Sequence, residues 1–167
     1  MFDVERATDG VDRIVEQWAR ERPDLDTTAM AVFGRVYRLA RLSGDAVERE
    51  YAAFGLGRPE FDVLATLRRS GERLSPGRLA AAMMLSSGGT TARLDRLERA
   101  GLVERSPDPD DRRGVLVALT ERGAQLVDGA VEAGLRRQQE LLAHLSPAQQ
   151  DRLSALLRQA LGPLEAP

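Results

Sequence analysis

Cysteine is absent from the 167 residues, which excludes a disulfide framework, a thiol nucleophile and thiol-based oxidant sensing. Histidine occurs once, as His144, and no Ser/His/Asp arrangement, metal-ligand cluster or glycine-rich phosphate loop accompanies it. Gly88-Gly89 lacks the Lys-Ser/Thr that completes a phosphate-binding loop. An enzyme is therefore not expected, and neither is a cofactor or a metal. Aromatic residues make up only 4%, and all 24 basic residues are arginine. Against 26 acidic residues they leave a net charge of −2, too little positive charge for a general nucleic-acid coat. No apolar run reaches membrane length, and the N-terminus lacks a charged-then-apolar signal pattern. A cytoplasmic location and no membrane partner are expected. No repeat or low-complexity segment interrupts the chain, whose length suits one domain or one domain with dimerisation arms.

The informative stretch runs from Leu74 to Leu119. Ser75 suits an N-cap, and Pro76 suits the first helical position, where its missing N–H costs nothing. Leu79, Ala82 and Met83 follow at helical spacing. A break near Leu85-Ser86 leads to a second helix that Ser86 or Ser87 can cap. There Thr90, Leu94 and Leu97 make a narrow buried stripe at i, i+4 and i+7. Gly88, Ala92, Asp95, Arg96 and Arg99 fall roughly opposite, and Gly101 ends the helix at the C′ position. Leu102-Val103 opens a strand, Ser106 to Gly114 forms a charged turn, and Val115, Val117 and Leu119 alternate along a returning strand.

Two short helices joined by a turn occur in many all-α proteins. A β-hairpin directly after them makes the unit a winged helix-turn-helix, which sets one helix in a DNA major groove and the hairpin against the adjoining backbone. Ser86, Ser87, Gly88 and Thr91 allow close approach to phosphates and base edges, and Arg96 points outward. At the wing tip Asp108, Asp110 and Asp111 stand beside Arg112 and Arg113. Adjacent carboxylates that orient an arginine suit a narrow minor groove. Because the signs from Arg78 to Arg113 nearly cancel, folding has to segregate them. The competing reading is a winged-helix module that binds only protein, in line with the acidic net charge.

The run LERAGLVERSPDPDDRRGVLVALTERG, placed after that helix pair, resembles the MarR family of bacterial transcription regulators over nearly the whole chain. The resemblance implies a homodimer that binds pseudo-palindromic operators in double-stranded DNA, as a repressor released by a small molecule.

The flanks read as helices. Asp9 caps a helix with Val11, Ile14, Val15 and Trp18 on one side, ended by Pro23. After a polar link from Asp24 to Thr28, a long helix carries Phe33, Val36, Tyr37, Ala40, Val47, Tyr51 and Phe54. Gly55 to Pro59 breaks the chain before a short helix from about Arg58 to Arg69. After the wing, Thr120 caps a helix in which Val127, Val131, Leu135, Gln138, Leu142 and Leu145 approach a heptad seam. Ser146-Pro147 starts a terminal helix with a leucine-rich side. The expected architecture is mainly α with a small β-hairpin wing. It comprises N-terminal helices for dimerisation and a ligand pocket (1–57), a winged helix-turn-helix (58–119) and C-terminal dimerisation helices (120–167). The two ends carry more apolar stripe than the reading head can cover, so a second copy is expected to bury the excess.

Four residues suggest a ligand pocket. Arg93 lies at the edge of its helix's buried stripe and needs an anionic partner. Arg105 stands at the base of the wing, Asp62 in the helix before the reading unit, and Trp18 offers a flat apolar face. Together they suit a planar anion stacked on Trp18, with Asp62 as the displaced partner. Each also falls where the urate-responsive branch of the MarR family carries its ligand-response residues. That branch has an additional N-terminal helix, which the Asp9 to Arg20 segment matches. By this resemblance the effector is a small anion, urate or a related purine.

Overall fold

Helix boundaries in the computed structural model, which describes residues 8–83, 89–111 and 113–165, fall where local capping chemistry sets them. Asp9 accepts from the amides of Val11 (2.7 Å) and Asp12 (3.0 Å), and Asp12 accepts from the Asp9 amide at 2.9 Å. This reciprocal capping box starts α1, Gly10–Glu21. Asp26 accepts from the Thr28 amide (2.9 Å) at the start of α2, Thr28–Ala52. Helix α3, Arg58–Ser70, starts from Gly57 with a proline in its first turn. Ser75 accepts from the Arg78 amide (3.3 Å) at the start of α4, Pro76–Ala82. Helix α5, Thr90–Arg99, has Gly89 at its N-cap rather than Ser86 or Ser87, which lie outside the described residues. Strands β1, Val103–Pro107, and β2, Val115–Leu119, pair antiparallel from Val103↔Leu119 to Pro107↔Val115. Thr120 caps α6, Glu121–Leu142, through the Gly123 amide (3.0 Å). Ser146 and Gln149 cap each other at the start of α7, Pro147–Glu165.

The chain divides into two units, one ending at Asp45 and the other starting at Ala46, with α2 running through the boundary. This division falls before the expected boundary at residue 57. The reason is that Val47, Tyr51 and Leu56 join the core around α3. Phe54 packs there too, from the turn that closes α2 rather than from the helix itself.

In the first unit Val11 is buried, with Gly34 leaving room for its side chain. Arg35 of α2 grips both Asp9 (2.9 Å) and Asp12 (2.6 Å). The Asp9 amide, then Arg35, holds the Asp12 carboxyl below the usual carboxylate range. Of the expected α1 stripe only Val11 is buried; Ile14 and Trp18 stand 48% and 41% exposed.

In the second unit α3 contacts α4, α5, β2 and α6, which explains why Val63 and Leu64 are fully buried. Leu79, Leu94, Leu97, Leu102, Val103, Val117 and Val127 complete the core. Leu74 bridges Val117 through two main-chain hydrogen bonds (3.0 and 2.9 Å), anchoring the wing to the turn before α4. Helix α6 presents small residues inward. A Cβ on Gly123 would stand 1.9 Å from the Leu102 carbonyl oxygen, so only glycine allows this approach. Of the seam read along α6, Val127 and Val131 turn toward the core, whereas Leu135 stays 51% exposed. Helix α7 has no buried residue.

Candidate nucleic-acid interface

The reading helix is set by its buried stripe. Thr90, Leu94 and Leu97 are all buried, as their spacing predicts, which turns Ala92 and Arg99 to the opposite side. Gly101, at φ 68°, closes α5: its amide donates to the Glu98 carbonyl (2.8 Å) and the Leu102 amide to that of Leu97 (2.9 Å). This Schellman pairing delivers the chain directly into β1.

The charge problem posed by the sequence is met in part on the two flanks of α5. Arg105, from β1, donates to Asp95 (2.7 Å) and Glu98 (2.8 Å), so one guanidinium is shared by two carboxylates a turn apart and offsets half of their charge. Its side chain is 27% exposed. On the other flank Arg96 meets Glu60 of α3 at 2.6 Å. Arg99 donates to the Asp95 carbonyl (3.1 Å) and stays exposed, as does Thr91. Arg93 is half-buried.

The wing tip differs in detail from its expectation. Asp108 accepts from the Asp110 amide and Asp111 from the Arg113 amide, both at 3.0 Å. Among the described residues these carboxylates shape the backbone and pair with no guanidinium, which leaves the exposed Arg113 side chain outside any ion pair. The reason is local geometry: in a tight turn the amide two residues ahead is the nearest donor. Arg112, Ser86, Ser87 and Gly88 lie outside the described residues. Strand β1 also runs further than expected, to Pro107, because Pro107 still pairs with Val115. Arg73 ties the turn before α4 to the wing through Ser106 (3.0 Å).

A cleft of about 330 Å³ opens within the second unit, walled by α3, α6 and the end of α2. Tyr51 and Phe61 stack in it at 3.7 Å and 12°. Burial pushes the Tyr51 phenol above its ordinary value; Arg58 opposes that rise and Asp62 adds to it. Asp62, whose side chain is 16% exposed, accepts from Arg58 at 3.1 Å. Arg69 lines the same cleft and donates to Thr66 (3.3 Å) and to the carbonyl of Ala82, the last residue of α4. Of the four expected ligand residues, Asp62 lines this cleft, and Arg93 and Arg105 do not. Trp18 belongs to the first unit. Tyr51 and Phe61 are legible in the sequence only as apolar-face residues and Arg58 and Arg69 only as helix ends; none was assigned to a site. The available signal was the row Asp62, Ala65, Thr66, Arg69 at i, i+3, i+4 and i+7 along one face of α3. A second cleft of about 300 Å³ lies near Arg68, which Asp128 already holds at 2.7 and 3.0 Å.

Residues 54–114 match the MarR family model. The chain is 40% identical over 149 residues to the HTH-type transcriptional regulator PecS of Dickeya dadantii (strain 3937), covering 88% of this chain and 90% of that protein. The chain belongs to the MarR family. It is also 32% identical over 130 residues to the multiple antibiotic resistance protein MarR of Escherichia coli (strain K12), covering 77% of this chain and 90% of that one. A mutant E. coli MarR crystallised with operator DNA aligns with a TM-score of 0.69 at 26% identity, covering 86% of this chain and 97% of that one. The fold is thus the MarR-type winged helix-turn-helix, and the chain is a DNA-binding transcription regulator. Its relatives are named as regulators rather than enzymes. Among the described residues no helix is long and apolar enough to cross a membrane.

Proposed function

We propose that this MarR-family chain is a homodimeric repressor that reads pseudo-palindromic operators with α5 and the wing. In this reading a small planar anion, such as urate or a related purine, releases it from the operator. The observation that carries the DNA-reading part is the partly neutralised flank of α5. Arg105 holds both Asp95 and Glu98 and offsets half of their negative charge, so Arg99 faces a weakened acidic edge despite the net charge of −2. Thr91 and the undescribed Ser86, Ser87, Gly88 and Arg112 keep their sequence-based assignment to the DNA side.

Two further features support the finer reading. Apolar side chains are left uncovered within each unit: Phe33 and Tyr37 are 48% and 69% exposed in the first, Leu156, Leu161 and Leu164 54%, 49% and 74% in the second. Burying side chains of this kind is worth about 1.5–3 kcal/mol each, which a second copy supplies. A two-fold pair would set the reading helices one or more DNA turns apart, roughly 34 Å per turn.

The cleft supports the effector. Stacked Tyr51 and Phe61 match a flat ring, and Arg58 and Arg69 match an anion that competes with Asp62. Because Arg69 also holds the end of α4, its capture by an anion would loosen the helix that precedes the reading helix. Trp18 keeps its assignment to effector response by resemblance.

The test is binding to DNA upstream of the chain's own gene across a salt series, with and without urate. Specific binding whose logarithm falls steeply with log salt is expected. Salt-insensitive or absent binding would favour the protein-only winged-helix module. A panel of purines and aromatic acids that leaves the complex intact would remove the effector half.

A further inference from the structure

We propose that Glu60 is a specificity determinant of DNA reading that acts through Arg96. Arg96 stands about 240° around α5 from Thr90 at 100° per residue, on the flank toward α3. There its guanidinium meets the Glu60 carboxylate at 2.6 Å across 36 residues of sequence. Glu60 is built into this position. It occupies the first turn of α3, where the helix dipole favours a negative charge. A Cβ on Gly57 would lie 2.8 Å from the Glu60 Oε2, so the glycine before the helix leaves the space this carboxylate fills. Its side chain is 22% exposed and that of Arg96 56%, so the pair stands at the surface with the guanidinium partly open to solvent.

The consequence follows from how proteins bind DNA. An uncommitted guanidinium on a reading helix attracts any phosphate, whatever the sequence, and each phosphate neutralised releases counterions. Glu60 withholds that charge and holds Arg96 in one direction along the α3 flank. It therefore lowers affinity for arbitrary DNA more than for a duplex whose shape fits α5. Arg105 does the complementary task on the wing flank, where it removes negative charge; Glu60 removes surplus positive charge.

Glu60→Gln, which keeps shape and removes charge, tests this. Two duplexes of equal length serve as probes: a random-sequence duplex, and one enriched from a random pool by the parent protein. Glu60→Gln should tighten binding to the random duplex several-fold, steepen its log–log salt slope by about 0.9 per subunit, and lower the ratio of specific to non-specific affinity. In an Arg96→Gln background the same substitution should change neither slope nor ratio. If Glu60→Gln weakens both duplexes together and lowers Tm, Glu60 is only a structural brace and the proposal fails. An unchanged random-duplex slope, with the parent still selective, overturns this inference alone. A parent that enriches no sequence overturns it together with sequence-specific reading.

Discussion

Helices α5 and α7 both carry apolar side chains at helical spacing, more sharply sided in α5, and meet opposite fates. In α5 Thr90, Leu94 and Leu97 are 8%, 0% and 2% exposed. In α7 Leu156, Leu157 and Leu161 are 54%, 36% and 49% exposed. Periodicity names the face of a helix that seeks cover and is silent about what covers it. For α5 the cover is α3 and β1 of its own unit. For α7 no side chain is covered to the point of burial, and a second copy is the proposed partner.

The most damaging substitution should be Leu94→Ala. Removing a fully buried leucine leaves a cavity and is expected to cost about 2–5 kcal/mol in urea unfolding. Next, Leu161→Glu in α7 should leave the subunit's fold largely intact and weaken self-association by about tenfold or more in sedimentation equilibrium, the loss of one leucine's burial. A loss of subunit stability comparable to that of Leu94→Ala would erase the contrast between the two helices.

Arg105→Gln sharpens the comparison from the charged side of α5. It leaves Asp95 and Glu98 uncompensated beside the DNA face. Operator and random DNA should both bind more weakly, with less than about 1 kcal/mol lost from stability, because both carboxylates are more than a third exposed. Unaltered DNA affinity would show that the acidic flank does not meet the duplex.

The smallest effect concerns Tyr51, whose phenol burial raises above the ordinary 10.0. A raised value means the native state retains the proton longer than the unfolded chain. The stabilisation is complete below about pH 10 and is lost as pH rises through the native value. In a Tyr37→Phe background, phenolate absorbance should titrate above pH 10 in the native protein and fall back toward 10 in urea.

Much of the reading head was legible because its signals are short-range. Ser75 and Pro76 start α4, Gly101 ends α5 and Thr120 starts α6, each through hydrogen bonds spanning a few residues. The start of α5 was less legible, since two serines ahead of it satisfy the same capping rule as any N-cap, and Gly89 takes that place. The cleft was harder still. Asp62 was readable as the partner that a bound anion displaces, but Arg58 and Arg69 looked like ordinary surface arginines until folding set them along one cleft with α6 and Tyr51. Arg105 had the same ambiguity, and its two carboxylates lie seven and ten residues back, beyond the reach of any helix rule.

By itself the sequence determined the order of elements, the ends of most helices and the buried stripe of α5. These depend on hydrogen bonds and side-chain spacing within one or two turns. Only the tertiary structure decided which charge answers which: Arg105 with Asp95 and Glu98, Arg96 with Glu60, Arg69 with the end of α4. With 24 arginines facing 26 acids, composition permits almost any pairing. Packing around α3 selects one, because an ion pair forms only where folding brings the two groups within a few ångströms.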